Sequence, residues 1–375
     1  MRVAIPKESW PGERRVAVVA DSIARLAARK LEVVVEPGAG LSAGASDRDY
    51  EAAGARIAPS REALFAEAEA VVQIRPPDAE QIARLPEGAL FIALLAPRQD
   101  LDRVRALRAR RITAVAVDLV PRTTAAQGMD ALSSQAIAGG YAAVLEAAHA
   151  LPRFFPMLMT AAGTIAPARV LVLGAGVAGL FAIGAARRLG AVVEAFDVRR
   201  AVKEEVESLG ARFVEVPGAS DAGAAGGYAR AIDAGEQARQ AEVIAAHLAK
   251  CDACITTALV PGRPAPLLIT EAMVAAMRPG SVIVDMAAEQ GGNCALTEPG
   301  ATVVRHGVTL VGETNFPSRV AVHASQMYSR NMERLLFHLT KDGAPALDLA
   351  DEITRAVVIT HGGEILHPEL REAAS

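Results

Sequence analysis

The stretch VLVLGAGVAGLFAIGAARRLGAVVEAFDV, residues 170–198, constrains the fold more than any other segment of this chain. An apolar run meets a glycine-rich turn, a helical pattern of small residues follows, and a second apolar run closes on Asp197. Gly174, Gly176 and Gly179 make G-x-G-x-x-G, and each has a physical duty. Gly174 permits the tight turn, Gly176 lets a pyrophosphate approach the backbone, and Gly179 lets the helix pack on the strand. The helix start offers free N–H groups and a positive dipole end to phosphates. Asp197 stands about twenty residues on, where a carboxylate accepts hydrogen bonds from a ribose. The expected cofactor site therefore comprises Gly174, Ala175, Gly176, Val177, Ala178, Gly179, Asp197, Val198 and Arg199. Arginine after this strand can receive a 2′-phosphate, and Arg199 and Arg200 are both present. Asp197 would repel that phosphate, so NAD is expected over NADP.

The chain of 375 residues is longer than one hydrophobic core usually supports. Before residue 118 the apolar runs RVAIP, LEVVVE, AVVQI, ALFIALL and ITAVAVD alternate with helical patterns, which predicts a parallel sheet covered by helices. SSQAIAGGYAAVLEAAHAL, 133–151, reads as one long helix bridging to a second alternation that ends near residue 317. SQMYSRNMERLLFHLTKDG predicts a helix ending on Gly343, and the closing AVVITHGGEIL would be orphaned unless it crossed back. The fold class expected is α/β: two Rossmann-like domains with parallel sheets, the first discontinuous, linked by long helices. Residues 1–132 with 318–375 form the outer domain, and 133–317 the NAD(H)-binding one. Residues 217–240 are rich in glycine and alanine, and read as a functional lid or as disorder.

Lys and Arg total 39 against 43 Asp and Glu and are scattered, which argues against a nucleic-acid partner. No apolar run approaches the roughly 18–20 residues of a membrane helix, and no signal core follows the start. A cytoplasmic location is expected. Cys251 and Cys254 form C-x-x-C where a helix hands over to a buried strand, which favours a structural role. The seven histidines have no metal spacing, and His361 reads as structural.

One polar run does not fit a linker. PRTTAAQGMDALSSQ, 121–135, carries Arg122, Gln127, Asp130 and Ser133 within a short span. Asp130 or Ser133 can cap the long helix that follows, and capping is compatible with a further role.

MRVAIPKESWPGERRVAVV, VEPGAGLSAGASDRDYEAAGA, LGAGVAGL, TTALVPGRPAP and VDMAAEQGGN resemble the alanine dehydrogenase and nicotinamide nucleotide transhydrogenase superfamily, over almost the whole chain. Within it the resemblance is closer to the NAD(H)-binding domain I of proton-translocating transhydrogenase, in the form where that domain is a separate soluble alpha subunit. The 121–135 run resembles that family's Arg-Gln-Asp loop, and GGYAR, with Gly227 and Tyr228, its mobile loop. The resemblance implies that Arg122, Asp130 and Ser133 hold the nicotinamide carboxamide, whose oxygen accepts and whose amine donates. Gln127 would reach a nicotinamide ribose, Tyr228 would cover the adenosine side, and Ala258 and Leu259 would line the adenine pocket. It also implies a homodimer and NADP(H) bound on domain III of membrane-embedded partner subunits. The chain would then sit at the inner face of the cell membrane through those partners.

Alanine dehydrogenases carry a lysine and a histidine that handle pyruvate and protons; here Arg75 and Ala96 fall at those places. Arg15 and Asn315 match the shared pattern, while Glu289 replaces an aspartate. Without the imidazole, proton exchange with a substrate oxygen or nitrogen lacks its usual group. The expected activity is direct hydride transfer from NADH to NADP⁺ on the partner, coupled to proton translocation. A soluble alanine or imino-acid dehydrogenase, or a non-catalytic NAD-sensing regulator, are the alternatives.

Overall fold

The computed structural model describes residues 1–217, 234–259 and 264–373. They form two compact units, Met1–Gln135 with Ser318–Ser375, and Ala136–Pro317.

The first unit is built on an eight-stranded sheet. Six strands are parallel, in the order Arg56–Ile57, Glu32–Val35, Arg2–Ile5, Ala70–Val72, Leu90–Ala93 and Thr113–Ala116. The chain thus winds outward from Arg2–Ile5 in both directions, and the order reverses between that strand and Ala70–Val72. The central strands are buried on both faces, which is why they read as unbroken apolar runs. Val358–His361 returns to pair antiparallel with Thr113–Ala116, and Glu364–Ile365 folds back on it. The closing segment therefore covers an edge of the first sheet, so this sheet is mixed where a parallel one was expected. His361 lies here, its Nδ1 2.9 Å from the Thr113 hydroxyl.

The helix Ala321–Leu339 packs an apolar stripe of Tyr328, Met332, Leu335, Leu336 and Leu339 into this core. It ends at Leu339, not on Gly343. Asp342 and Gly343 both have positive φ and turn the small hairpin of Thr340–Lys341 and Ala344–Pro345. A two-residue turn of that handedness matches strand twist, so the glycine serves the hairpin and not the helix end.

The second unit carries a seven-stranded sheet in the order Arg212–Phe213, Val192–Phe196, Arg169–Leu173, Ala253–Thr256, Val282–Asp285, Val308–Val311, Thr302–Arg305. All neighbours are parallel except the last pair. The order reverses between Arg169–Leu173 and Ala253–Thr256, the point at which open α/β sheets bind ligands beyond their strand ends. The long helix spans Ala131–Ala150. Some of the 217–240 stretch, read above as lid or disorder, is helical: Ala234–Leu248 forms a helix with Glu236 and Gln240 buried.

Candidate functional site

The glycine-rich turn sits at the reversal point of the second sheet, directly after Arg169–Leu173 and before the helix Val177–Arg188. Gly174 has φ +101°, a conformation costly for any side chain. A Cβ on Gly179 would lie 1.9 Å from the Gly174 carbonyl oxygen, so only glycine lets this helix meet the turn. Gly176 differs from both. A Cβ there would meet nothing closer than Arg199 Nη2 at 4.0 Å, so close packing does not demand its glycine. Gly176 is also the N-cap of the helix and no side chain caps it, so its first N–H groups are free of a side-chain acceptor. A bare helix start behind an open glycine fits a dinucleotide's pyrophosphate.

Asp197 follows the strand Val192–Phe196 and binds across to the turn. Its Oδ2 accepts from Ala175 N–H at 2.7 Å and from Arg199 Nη2 at 2.8 Å. Its Oδ1 accepts from Arg199 N–H at 2.8 Å and Arg199 Nε at 2.9 Å. The guanidinium that could have received a 2′-phosphate is thus folded back on the carboxylate that would repel one. Asp197 and Val198 also border a cavity with Arg200, Val214, Glu215 and Gln240.

On the other side of the reversal, Thr257 donates its hydroxyl to the Gly174 carbonyl at 3.0 Å. Ala258 is braced by Asn293, whose Oδ1 accepts from Ala258 N–H at 3.1 Å and whose Nδ2 donates to Ala258 O at 2.9 Å. Asn293 N–H in turn donates to Asp285, a fully buried carboxylate that also accepts from Cys294 N–H and the Thr256 and Thr297 hydroxyls. Leu259 is 37% exposed, so the loop offers an apolar surface beside a rigid backbone. Gly227 and Tyr228 lie outside the described residues.

Sequence reasoning missed Gly140. A Cβ on it would lie 2.3 Å from the Ala178 carbonyl oxygen, so the long helix packs backbone to backbone on the first turn of the cofactor helix. The signal was the Gly-Gly pair inside a helical pattern, where each glycine costs about 1 kcal/mol relative to alanine. Cys251 and Cys254 are free and buried, and burial pushes the Cys251 thiol up to about 12, which suits an inert pair.

The polar run 121–135 lies in the first unit. Asp130 does cap the long helix: Oδ1 accepts from Ser133 N–H at 2.9 Å and Oδ2 from the Ser133 hydroxyl at 2.6 Å. Arg122 and Gln127 are exposed, Gln127 opening a short 3-10 turn, Gln127–Met129. A buried asparagine, also missed from sequence, clasps the run. Asn331 Nδ2 donates to Gly128 O at 2.9 Å, and its Oδ1 accepts from the Ser134 hydroxyl at 2.7 Å. Gln135 donates to Ala324 O and accepts from Arg15 Nη1 at 2.8 Å.

Arg15 belongs to a charged cluster at the reversal point of the first sheet. Glu13 takes a hydrogen bond from Arg15 Nε at 2.7 Å and from Arg75 Nε at 3.0 Å, and its side chain is fully buried. Burial pushes the Glu13 carboxyl up, but Arg15, Ser318 and Arg75 together hold it well below the usual carboxylate range. Glu8 accepts from Ile74 N–H at 2.6 Å and Arg75 N–H at 3.2 Å, and burial pushes it up to about 7. Arg75 also lies over Trp10, 5.5 Å from the ring centre. Ala96 has only a methyl group to offer, at φ +45°. Both guanidiniums therefore already hold a carboxylate of the chain itself.

Among the described residues no group of histidines, cysteines and carboxylates is placed to hold a metal, and no helix is long and apolar enough to cross a membrane. Family comparison adds a decisive observation: residues 4–138 match the alanine dehydrogenase/PNT N-terminal domain, and 143–368 its C-terminal domain. The chain belongs to the alanine dehydrogenase/PNT family. It is 48% identical over 379 residues to an NAD(P) transhydrogenase subunit alpha chain of Rhodospirillum rubrum, covering 99% of each chain. An alanine dehydrogenase of Halomonas elongata is 30% identical, covering 100% of this chain and 96% of that one. Among solved structures, a transhydrogenase from Sinorhizobium meliloti matches with a TM-score of 0.88 and 44% identity, over 97% of this chain and 100% of that one. The resemblance drawn from sequence and the α/β class are both borne out, and the family similarity runs stronger on the transhydrogenase side.

Proposed function

We propose that this chain is the NAD(H)-binding subunit of a proton-translocating NAD(P)⁺ transhydrogenase. Its bound NADH would supply hydride directly to NADP⁺ held on domain III of membrane-embedded partners, at the inner face of the membrane. The observation that carries this reading is the pairing of a glycine turn open at Gly176 with 48% identity to a transhydrogenase alpha subunit. The domain of residues 133–317 takes the dinucleotide, with Gly174, Ala175, Gly176, Val177, Ala178 and Gly179 at the pyrophosphate. Asp197, with Val198 and Arg199, takes the adenosine ribose, Ala258 and Leu259 the adenine, and Gly227 and Tyr228 close over it.

Arg122, Asp130 and Ser133 orient the nicotinamide carboxamide, and Gln127 the ribose, so that one ring face is presented. No proton acceptor is required of the chain, because positioning and electrostatics suffice when the cofactors carry the chemistry. The engaged state of Arg15 and Arg75 and the methyl group at Ala96 favour this reading over an amino-acid dehydrogenase.

The chain acts as a homodimer in this reading. In support, the hairpin of Leu158–Thr160 and Gly163–Ile165 exposes Met157, Met159 and Ile165 by 55%, 78% and 44%, and a lone two-stranded hairpin is marginal in water. Sedimentation of the purified chain as a monomer would remove the dimer from the proposal.

The test of function mixes the chain with a purified NADP(H)-binding domain III and follows transfer between nucleotide analogues. The isolated chain should be inactive and the mixture active. Pyruvate- and ammonia-dependent oxidation of NADH by the chain alone would overturn the reading, and binding without transfer in the mixture would favour a sensor. In the active mixture, Gln127→Asn should slow transfer far more than it weakens NADH binding.

A further inference from the structure

The outward side of Ala321–Leu339 and the helix Ala20–Ala28 together border a polar cavity lined by Ser22, Arg25, Gln326, Arg330, Glu333 and Arg334. Arg25 and Glu333 satisfy one another, Arg25 Nε lying 2.8 Å from both carboxylate oxygens. Arg330 and Arg334 are exposed, stand one helical turn apart, and have no hydrogen-bond or ion-pair partner among the described residues. Asp21 is the other charge on this cavity, which leaves an excess of positive charge. Two like charges at this spacing repel, and an anion set between them reverses the sign of that interaction.

The position of the pair matters as much as its charge. A Cβ on Gly128 would lie 2.5 Å from Arg334 Cδ, so the arginine stem rests on the loop that contains Gln127. Asn331, between the two arginines in sequence, clasps that same Gly128. Whatever sits on Arg330 and Arg334 therefore sits beside the loop.

We infer that Arg330 and Arg334 form a docking surface for carboxylate side chains on the NADP(H)-carrying partner, which they draw up against the Gln127 loop. The inference rests on the function proposed above. Guanidiniums take carboxylates in a two-bond fork. Exposed charges hold a single small anion weakly in physiological salt, whereas a protein face bearing several carboxylates gains steering and register from them.

The experiment titrates domain III into the Arg330→Glu/Arg334→Glu variant at low and high salt, reading transfer rate, with NADH affinity measured separately by fluorescence. A net-charge control carries Arg108→Glu/Lys250→Glu, which changes charge equally elsewhere. We expect the half-saturating partner concentration to rise about tenfold at low salt and the difference to shrink at high salt. NADH affinity should stay within about twofold, and Arg330→Gln/Arg334→Gln should fall between variant and wild type. An unmoved variant, or a control that moves equally, overturns the docking surface while leaving the function standing. No transfer by the wild type in the same titration overturns the function and the docking with it.

Discussion

Replacing Asp197 by asparagine tests the cofactor site at its most engaged atom pair. The carboxylate accepts four hydrogen bonds, one from Ala175 and three from Arg199, and the paired side chains are 7% and 15% exposed. An asparagine keeps one acceptor oxygen and puts an NH₂ group against donors, so either Ala175 N–H or the arginine fork loses its partner. A buried donor left unmet costs about 1–3 kcal/mol, which the thermal unfolding of the variant would show. Binding should move further and in opposite directions for two nucleotides. NADH loses a charged acceptor at its ribose, worth about 1.5–3 kcal/mol, or roughly ten- to hundredfold in affinity. NADPH gains from the removed repulsion and the released Arg199 guanidinium, by about tenfold. The NADH to NADPH preference should therefore narrow by about two to three orders of magnitude. Fluorescence titration of both nucleotides measures it directly. A folded variant whose preference is unchanged would refute the reasoning and leave Asp197 as a brace for the turn alone.

Three further outcomes are expected. Gly179→Ala forces a Cβ to within 1.9 Å of the Gly174 carbonyl, so the turn must shift; stability should fall by about 1–3 kcal/mol and NADH binding with it, read by calorimetry. Asn331→Ala releases Gly128 O and the Ser134 hydroxyl, which should cost about 1–3 kcal/mol and lower kcat in the mixture while NADH affinity holds; equal losses would make the clasp a stability element only. Glu8, raised by burial and by the Glu13 charge from 4.5 to about 7, holds a proton when folded that the unfolded chain gives up between those limits. Its contribution is therefore fully present below about pH 4.5 and is lost as pH rises through 7, about 3 kcal/mol in all. Glu8→Gln should flatten the fall in stability between pH 5 and 8, and parallel curves would argue against it.

Much of the second unit was legible because its signals are local. Strand, glycine turn and helix of residues 170–188 are neighbours in sequence, and backbone sterics alone require Gly174 and Gly179. The return of Val358–His361 to the first sheet was legible from the logic of edges, since an orphaned strand must pair. The use of Asp342 and Gly343 was misjudged because a positive-φ glycine serves a helix end or a hairpin equally well until the partner strand is known. Antiparallel pairing of the closing strands was likewise invisible, because direction belongs to the chain's path and not to its residues.

Sequence by itself determined the two alternating sheets, the bridging helix, the glycine turn and the polar composition of 121–135. Tertiary structure alone decided where side chains far apart in sequence spend their hydrogen bonds. It set Arg199 onto Asp197, Asn293 onto Ala258 and Asn331 onto Gly128, the last across 203 residues. It also filled the reversal point of the first sheet with Glu8, Glu13, Arg15 and Arg75 while leaving Gly176 open at that of the second. The reason is that a motif fixes backbone conformation over a few residues, whereas the partner of a buried charge depends on which strand ends the topology brings together.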